Sequence, residues 1–484
     1  MVRETACASE AGTRDRGGDR RCLSEDGRHV VEIEDDSPHD SEPSDPPLTG
    51  TSVAVRILRE AGPGDRASHH PEGPTLAKLR IAHIIAEVPW PPDKGGKISF
   101  LNHLTELSGN PRVTTSLVLL DADGDRARYA DHFRGMGIDT AVFDRSLPHV
   151  KEGFVAGLRG FLSFIGSTKP RICRLRRNRA AIEHVRSLMS EGLDAIVYEH
   201  ISGWELVPPE AAGRIPVVCL TQNVETRVAL DQFRFQHCAS PLKIFFLGEY
   251  LKTLLYEKRM MKRITALISI SENDAEWYSA AYPRARVITT DEQIPERSRC
   301  WQGSASGKRL LFIGSHRYFP NLDALRWLSG SLMPALRRLD DGISLSVCGL
   351  SEEEAAAFGL TCDGIDYLGF LPEEELAGLH CECDLYVCPI RLGSGIKMKI
   401  LDALSYGMPV TAVSQSLAGI QVEGPAANLD FGDPAGSARR VATLLSDRAA
   451  LREMSAVTLR SLEEYRRNRR RFDEAVLEAA GFGG

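Results

Sequence analysis

The feature that most constrains this chain is an alternation that runs twice. Short, near-continuous apolar runs are separated by stretches with helical patterning, first from Leu79 onward and again from Arg309. LRIAHIIAE at 79–87 has no polar face to spare, as expected for a strand buried on both sides of a parallel sheet. VTTSLVLL (113–120), DAIVY (194–198), VVCL (217–220), Ala266–Ile270 and Val287–Thr289 continue the first set, with helical stretches between them, including 178–191. A long amphipathic stretch at 242–263 leads into the fifth of these runs. RLLFI (309–313), SLSVC (344–348), Ile365–Leu368, LYVC (385–388) and Val410–Val413 form the second set, with helices expected at 321–339, 397–406, 434–446 and 448–466. Strands that alternate with helices make α/β domains with right-handed crossovers. The expected architecture is two Rossmann-like, doubly wound domains facing a cleft, joined through the polar segment Asp291–Lys308.

Composition enters as a boundary condition. A chain of 484 residues is too long for one core, and a length prior of roughly 150 residues per unit suggests about three. Residues 1–76 are dominated by Gly, Pro, Ser, Asp, Glu, Arg and His, and only the 53–58 stretch is patterned. Such a segment buries too little apolar surface to offset its ordering entropy, so it reads as a disordered extension, with a short element near 53–60 as the one exception. A start codon assigned too early would leave the same signature. The expected organisation is 1–76 extension, 77–295 first domain, 305–460 second domain, and 461–484 a terminal helix returning to the first. A formal charge of −7 argues against a general nucleic-acid binder. No apolar run reaches the roughly 18 residues of a membrane span, and no secretory signal is visible at the N-terminus. Eleven scattered cysteines read as reduced thiols rather than a disulfide framework, which fits a cytoplasmic protein.

In such sheets ligands bind beyond the carboxyl ends of the strands, which directs attention to the loops at 88–97, 314–321 and 389–396. The strongest is PIRLGSGIKMKILDALSYGMP at 389–409, where a strand ends, a Gly-Ser-Gly turn comes next and a helix begins near Ile396. Glycines admit close approach of an anion, and a helix N-terminus offers free N–H groups. Lys397 and Lys399 in the first turn, with Arg391 before it, oppose the helix dipole unless an anion docks there. A glycine-rich connection with solvated lysines is the alternative. Asp402 stands at i+3 from Lys399, as a surface ion pair or as an acceptor for a ribose diol. Gly95-Gly96 before a helix is either a turn or a second phosphate-facing loop, and Arg317 in GSHRYFPN reads as an ordinary exposed arginine.

Four stretches taken in order, VPWPPDKGGK, TQNVETR, LLFIGSHRYFPNLDALRW and YLGFLP…DLYVCPIRLGSGIKMKILDALSYGMPV, resemble the family 4 glycosyltransferases of the GT-B fold, in particular a polysaccharide-biosynthesis subgroup. The resemblance covers about 79–466 and implies a retaining transfer of sugar from a nucleotide-diphosphate donor, without metal or other cofactor. It implies that Gly95 and Gly96 approach the donor phosphates, that Gly393, Ser394, Gly395 and Ile396 meet the diphosphate, and that Lys399 and Asp402 match the family's lysine and ribose-holding glutamate. The departures are equally specific. The family's two glutamates, eight positions apart, correspond here to Ser394 and Asp402. Its basic pair in the third loop corresponds to Ser315 and Asn321, so Arg391, Lys397 and Lys399 are expected to supply the missing charge. Gln222 stands where many relatives carry histidine. His200 and Glu225 are further cleft candidates, with structural and helix-capping roles as their alternatives. TTDEQIP replaces the family's Asn-Gly before the linker.

His380, Cys381 and Cys383 lack the second pair that a zinc site needs. The basic run Arg466–Arg471 reads as a solvated helix face, or, with the 242–263 helix, as a loose membrane-docking surface. The expected partners are a nucleotide sugar and a glycan or lipid-linked acceptor, with no nucleic acid. Two rivals remain open at the level of sequence: a catalytically silent nucleotide-sugar-binding subunit, and a sugar-nucleotide epimerase on the same fold.

Overall fold

In the first half of the folded chain, seven parallel strands form one sheet. They are β1 (Leu79–Ile85), β2 (Val113–Asp121), β3 (Asp139–Asp144), β4 (Ala195–Glu199), β5 (Val217–Thr221), β6 (Ala266–Ser269) and β7 (Val287–Thr289), in the order β3-β2-β1-β4-β5-β6-β7. The second sheet has five: β8 (Arg309–Ile313), β9 (Ser344–Cys348), β10 (Ile365–Tyr367), β11 (Leu385–Cys388) and β12 (Val410–Ala412), in the order β10-β9-β8-β11-β12. Both are doubly wound, reversing direction beside their first strand, at β1/β4 and β8/β11. The computed structural model describes residues 78–145, 167–238, 240 and 242–483. The expected extension at 1–76, with its short element near 53–60, lies outside them.

The apolar runs are buried as their composition requires. The last five residues of β1 and every residue of β4, β5 and β11 are buried. Alternate β1 side chains feed different layers: Ala82 and Ile84 pack with Tyr198, Tyr256 and Met260, whereas Ile81 packs with Val197, Val218 and Ile268. That second layer is completed by Phe472, Ala475, Val476 and Leu477 of the last helix, Phe472–Ala479. The chain's end is thus part of the first sheet's core. The preceding helix, Arg448–Asn468, packs with the second sheet through Leu451 and Leu462.

Several local expectations shift. The helix after β1 begins at Gly95 itself, so the glycine pair read as preceding the helix forms its first turn. The helix expected at 321–339 starts at Phe319, with Pro320 in its first turn, and carries a π-helical turn at Leu328–Leu332 before Met333–Leu339. β3 and the helix Arg126–Gly135 were not legible, since β3 is an edge strand with an aspartate at each end and a partly exposed face. The linker is less free than its polarity suggests. Trp301 is buried, its indole N–H donating to Cys383 O (2.8 Å), and Asp384 accepts from the Ser304 N–H (2.8 Å).

The basic run at 466–471 is a solvated face only in part: Arg467 is exposed, whereas its neighbouring arginines are engaged. Arg466 donates to Ile294 O and Pro295 O (3.2 and 2.6 Å), Arg469 pairs with Glu106, and Arg471 pairs with Asp473 (3.0 Å). The helix ends here and the chain turns back, so these arginines tie the crossing to the linker and the first domain.

Candidate functional site

The loops at the two switch points converge. From the first half come the start of the helix Gly95–Gly109, the turn Gln222–Val224 after β5, His200 after β4, and the first turn of the helix Glu272–Ala281. From the second come Gly314–Tyr318 after β8 and Pro389–Lys397 after β11, which opens into the helix Met398–Ser405. The Gln222 amide donates to Gly96 O (3.4 Å), and a Cβ on Gly95 would sit 3.0 Å from that of Met398. The two glycine-led helix starts therefore face one another.

The Gly-Ser-Gly turn is gripped from across this gap. Gly393 and Gly395 both have positive φ (81° and 74°), which orients their N–H groups outward. Gly393 N–H donates to Asp231 Oδ2 (2.9 Å), and Gly395 N–H donates to Asp274 Oδ2 (3.0 Å). Ser394 Oγ accepts from Val224 N–H (2.7 Å), and a methyl on Gly395 would run into the Gln222 carbonyl oxygen. Two carboxylates thus stand where an anion's oxygens would take the same donors. Asp274 is buried, and burial pushes its carboxyl up despite Arg227 nearby, 3.7 Å away. It is held by the local sequence Ser271-Glu-Asn-Asp274, in which Ser271 caps the helix.

The expected cationic cluster divides. Lys397 folds back onto its own loop, donating to Ser394 O and Gly395 O (both 3.0 Å), with Ile396 between the turn and the helix. Lys399 donates to Asn321 Oδ1 (2.7 Å), in the space that Gly314 leaves by lacking a side chain. Burial pulls both ammonium groups down, Lys399 to about 8. Arg391 is turned away, making two bonds to Asp323 (2.8 and 3.0 Å) and lying over the Phe431 ring. Ser315 serves its own loop: its hydroxyl accepts from Arg317 N–H (3.3 Å) and its carbonyl from the Asn321 amide (2.9 Å).

Asp402 is not paired with Lys399. It accepts from Arg297 of the linker (2.6 Å) and faces His380 Nε2 (3.1 Å), while Arg297 also covers the Tyr406 ring on which His380 stacks. Burial pushes its carboxyl up, but His380 and Arg297 outweigh this and hold it below the usual range. With its side chain 39% exposed, it retains lone pairs for a further donor. His380 is therefore occupied as a carboxylate partner, and its neighbouring cysteines are not needed to explain it.

His200 has φ 62°, the one positive φ outside glycine among the described residues. Such backbone is uncommon for a side chain of this size and gathers at functional sites. Its Nδ1 accepts from Ser202 N–H (3.2 Å), which leaves the proton on Nε2, directed at Glu225 Oε1 (3.0 Å). Glu225 opens the helix Glu225–Phe235, where its charge suits the dipole. Immediately before His200, buried Glu199 bridges His83 Nε2 (2.8 Å) and His103 Nδ1 (3.2 Å), and burial raises it to about 7. Sequence reading missed Asp231, Asp274, Glu199 and Arg297. Only Asp274 carried a signal, its helix-capping context.

Residues 307–447 match the family model described as Glycosyl transferases group 1. No curated protein matches the sequence. Among solved structures the chain is similar to TarM (9% identity, 84% of this chain and 99% of that one, TM-score 0.57). It is also similar to Anabaena HepE in complex with UDP and glucose (14%, 83% and 97%, 0.51), and to sucrose-phosphate synthase of Thermosynechococcus elongatus (13%, 81% and 99%, 0.51). The fold is therefore GT-B, and its second domain carries the Glycosyl transferases group 1 match. None of the described helices is long and apolar enough to cross a membrane.

Proposed function

We propose that this chain is a retaining family 4 glycosyltransferase that moves a sugar from a UDP- or GDP-sugar to a hydroxyl of a glycan, lipid-linked or small-molecule acceptor. The observation that carries the reading is the pair of outward N–H groups on Gly393 and Gly395, beside Lys397 and Lys399 and gripped by carboxylates of the facing domain. Donors that bind two carboxylates suit a diphosphate, and opening the cleft frees them. Asp402 would then take the ribose hydroxyls, and Gly95 and Gly96 would close on the phosphates. In the transfer, the bond from the anomeric carbon to the β-phosphate oxygen breaks and the acceptor oxygen bonds to that carbon on the same face. The acceptor proton passes to a β-phosphate oxygen. Backbone N–H groups and the two lysines, rather than a divalent ion, would meet the charge of the leaving group. Gln222, which cannot titrate, and the His200–Glu225 pair would orient sugar and acceptor.

A second reading, a catalytically silent nucleotide-sugar-binding subunit, is favoured by Ser394: it stands at the position of the family's first glutamate, and its hydroxyl is occupied by Val224. Release of UDP or GDP from a panel of nucleotide sugars, with and without acceptors, separates the two. Acceptor-dependent release supports the transferase. Tight nucleotide binding with no turnover across the panel would assign the silent role.

A further inference from the structure

The helix Leu242–Met261 turns a row of apolar side chains to solvent. Ile244, Leu247, Leu251 and Leu255 are 78%, 39%, 48% and 51% exposed, and their spacing of three, four and four residues places them on one face. The row is about 17 Å long at 1.5 Å per residue. The opposite face, with Phe246, Thr253, Tyr256 and Met260, is buried. Contiguous exposed apolar rows on a helix mark surfaces meant to be covered.

The charge at the end of the row decides what covers it. Lys258 continues the same face, and Arg259, Lys262 and Arg263 crowd its C-terminal end, all four exposed. The two carboxylates of the helix are withdrawn from that face. Glu249 accepts from the Arg171 N–H (2.7 Å), and Glu257 is fully buried against Tyr278 (2.6 Å) and Thr226. The bond from Arg171 also brings the short helix Arg171–Arg174 alongside, with Ile172 40% exposed and Arg177 and Arg179 exposed just beyond it. A second copy of this face packed parallel would meet four cations with four cations, and one packed antiparallel would lay them beside the partner's Ile244 end, where the helix presents no outward acid to balance them.

We propose that this face docks the protein on an anionic lipid surface, the leucine row entering the headgroup boundary and the basic end meeting lipid phosphates. Apolar insertion and cationic attraction together are what hold an interfacial helix on such a surface. Such docking is independent of what the cleft catalyses.

Co-sedimentation of the full chain with vesicles tests it. Binding is expected to phosphatidylcholine vesicles containing phosphatidylglycerol, with little to phosphatidylcholine alone, and weaker binding at high salt. The double change Leu251→Glu with Leu255→Glu, and separately Lys258→Glu with Lys262→Glu, should each lower binding about tenfold or more. Because all four side chains are exposed, the unfolding temperature should stay near that of the unchanged protein. Absence of binding to the anionic vesicles overturns the proposal, as does binding by both variants equal to that of the unchanged protein. A concentration-dependent dimer that the Leu251→Glu, Leu255→Glu variant abolishes would assign the face to a second copy and overturn it too.

Discussion

Lys399 is a cation kept where its charge is poorly solvated. Burial is the main cause that brings its ammonium to about 8, and Lys397 beside it pulls in the same direction. The unfolded chain keeps such a lysine protonated to about 10.4, so between the two values the unfolded state binds more protons than the folded one. The lysine's contribution to stability is therefore complete above the unfolded value and is lost as pH falls through about 8. On the proposed function, nucleotide binding would run the other way, because an anion needs the protonated form. Affinity for UDP or GDP is expected to fall as pH rises past about 8, by up to tenfold per pH unit. Lys399→Met should weaken binding near neutrality and flatten that dependence, both measurable by calorimetric titration. A pH-independent affinity in the unchanged protein would remove Lys399 from the anion site. Nothing in the local sequence distinguishes this lysine from Arg391, three residues after β11, yet the fold gives Arg391 to Asp323. Proximity along the chain said where charge was available, and side-chain packing chose which of it reaches the loop.

At the scale of elements, the turn after β11 and the start of the helix Glu272–Ala281 form one unit although 121 residues separate Gly395 from Asp274. The glycine turn was legible, because glycines between a buried strand and a helix have few other uses. Its acidic partner was not, because a carboxylate in a helix's first turn is commonplace and only the facing domain gives it a second role. Asp274→Asn keeps an oxygen for Gly395 N–H but removes the charge that would compete with a docked phosphate. The expected result is a rise of about three- to tenfold in affinity for UDP or GDP, with stability changed by no more than about 1 kcal/mol. Unchanged or weaker nucleotide binding would mean that this carboxylate and the anion do not share the donors.

For the whole molecule, the decisive contact is made by the end of the chain. Phe472 is fully buried against the first sheet, its ring 4.6 Å from that of His103, and its N–H donates to Glu106 (2.9 Å). Phe472→Ala should cost about 3–5 kcal/mol in chemical denaturation, the range for truncating a buried aromatic. A loss near zero would show that the last helix is dispensable to that core. The alternating apolar runs alone determined two parallel, doubly wound sheets, because a strand covered on both faces must be apolar throughout and a crossover must be helical. They also placed the glycine loops at the strand ends, where backbone donors lie outside the sheet's own hydrogen-bond ladder. Only the tertiary structure decided that Asp231 and Asp274 grip the turn, that Arg297 and His380 hold Asp402, and that arginines of the basic run fasten the chain's return. Those pairings join residues more than a hundred positions apart or on different elements, and local pattern carries no record of which charges will meet once the sheets are packed.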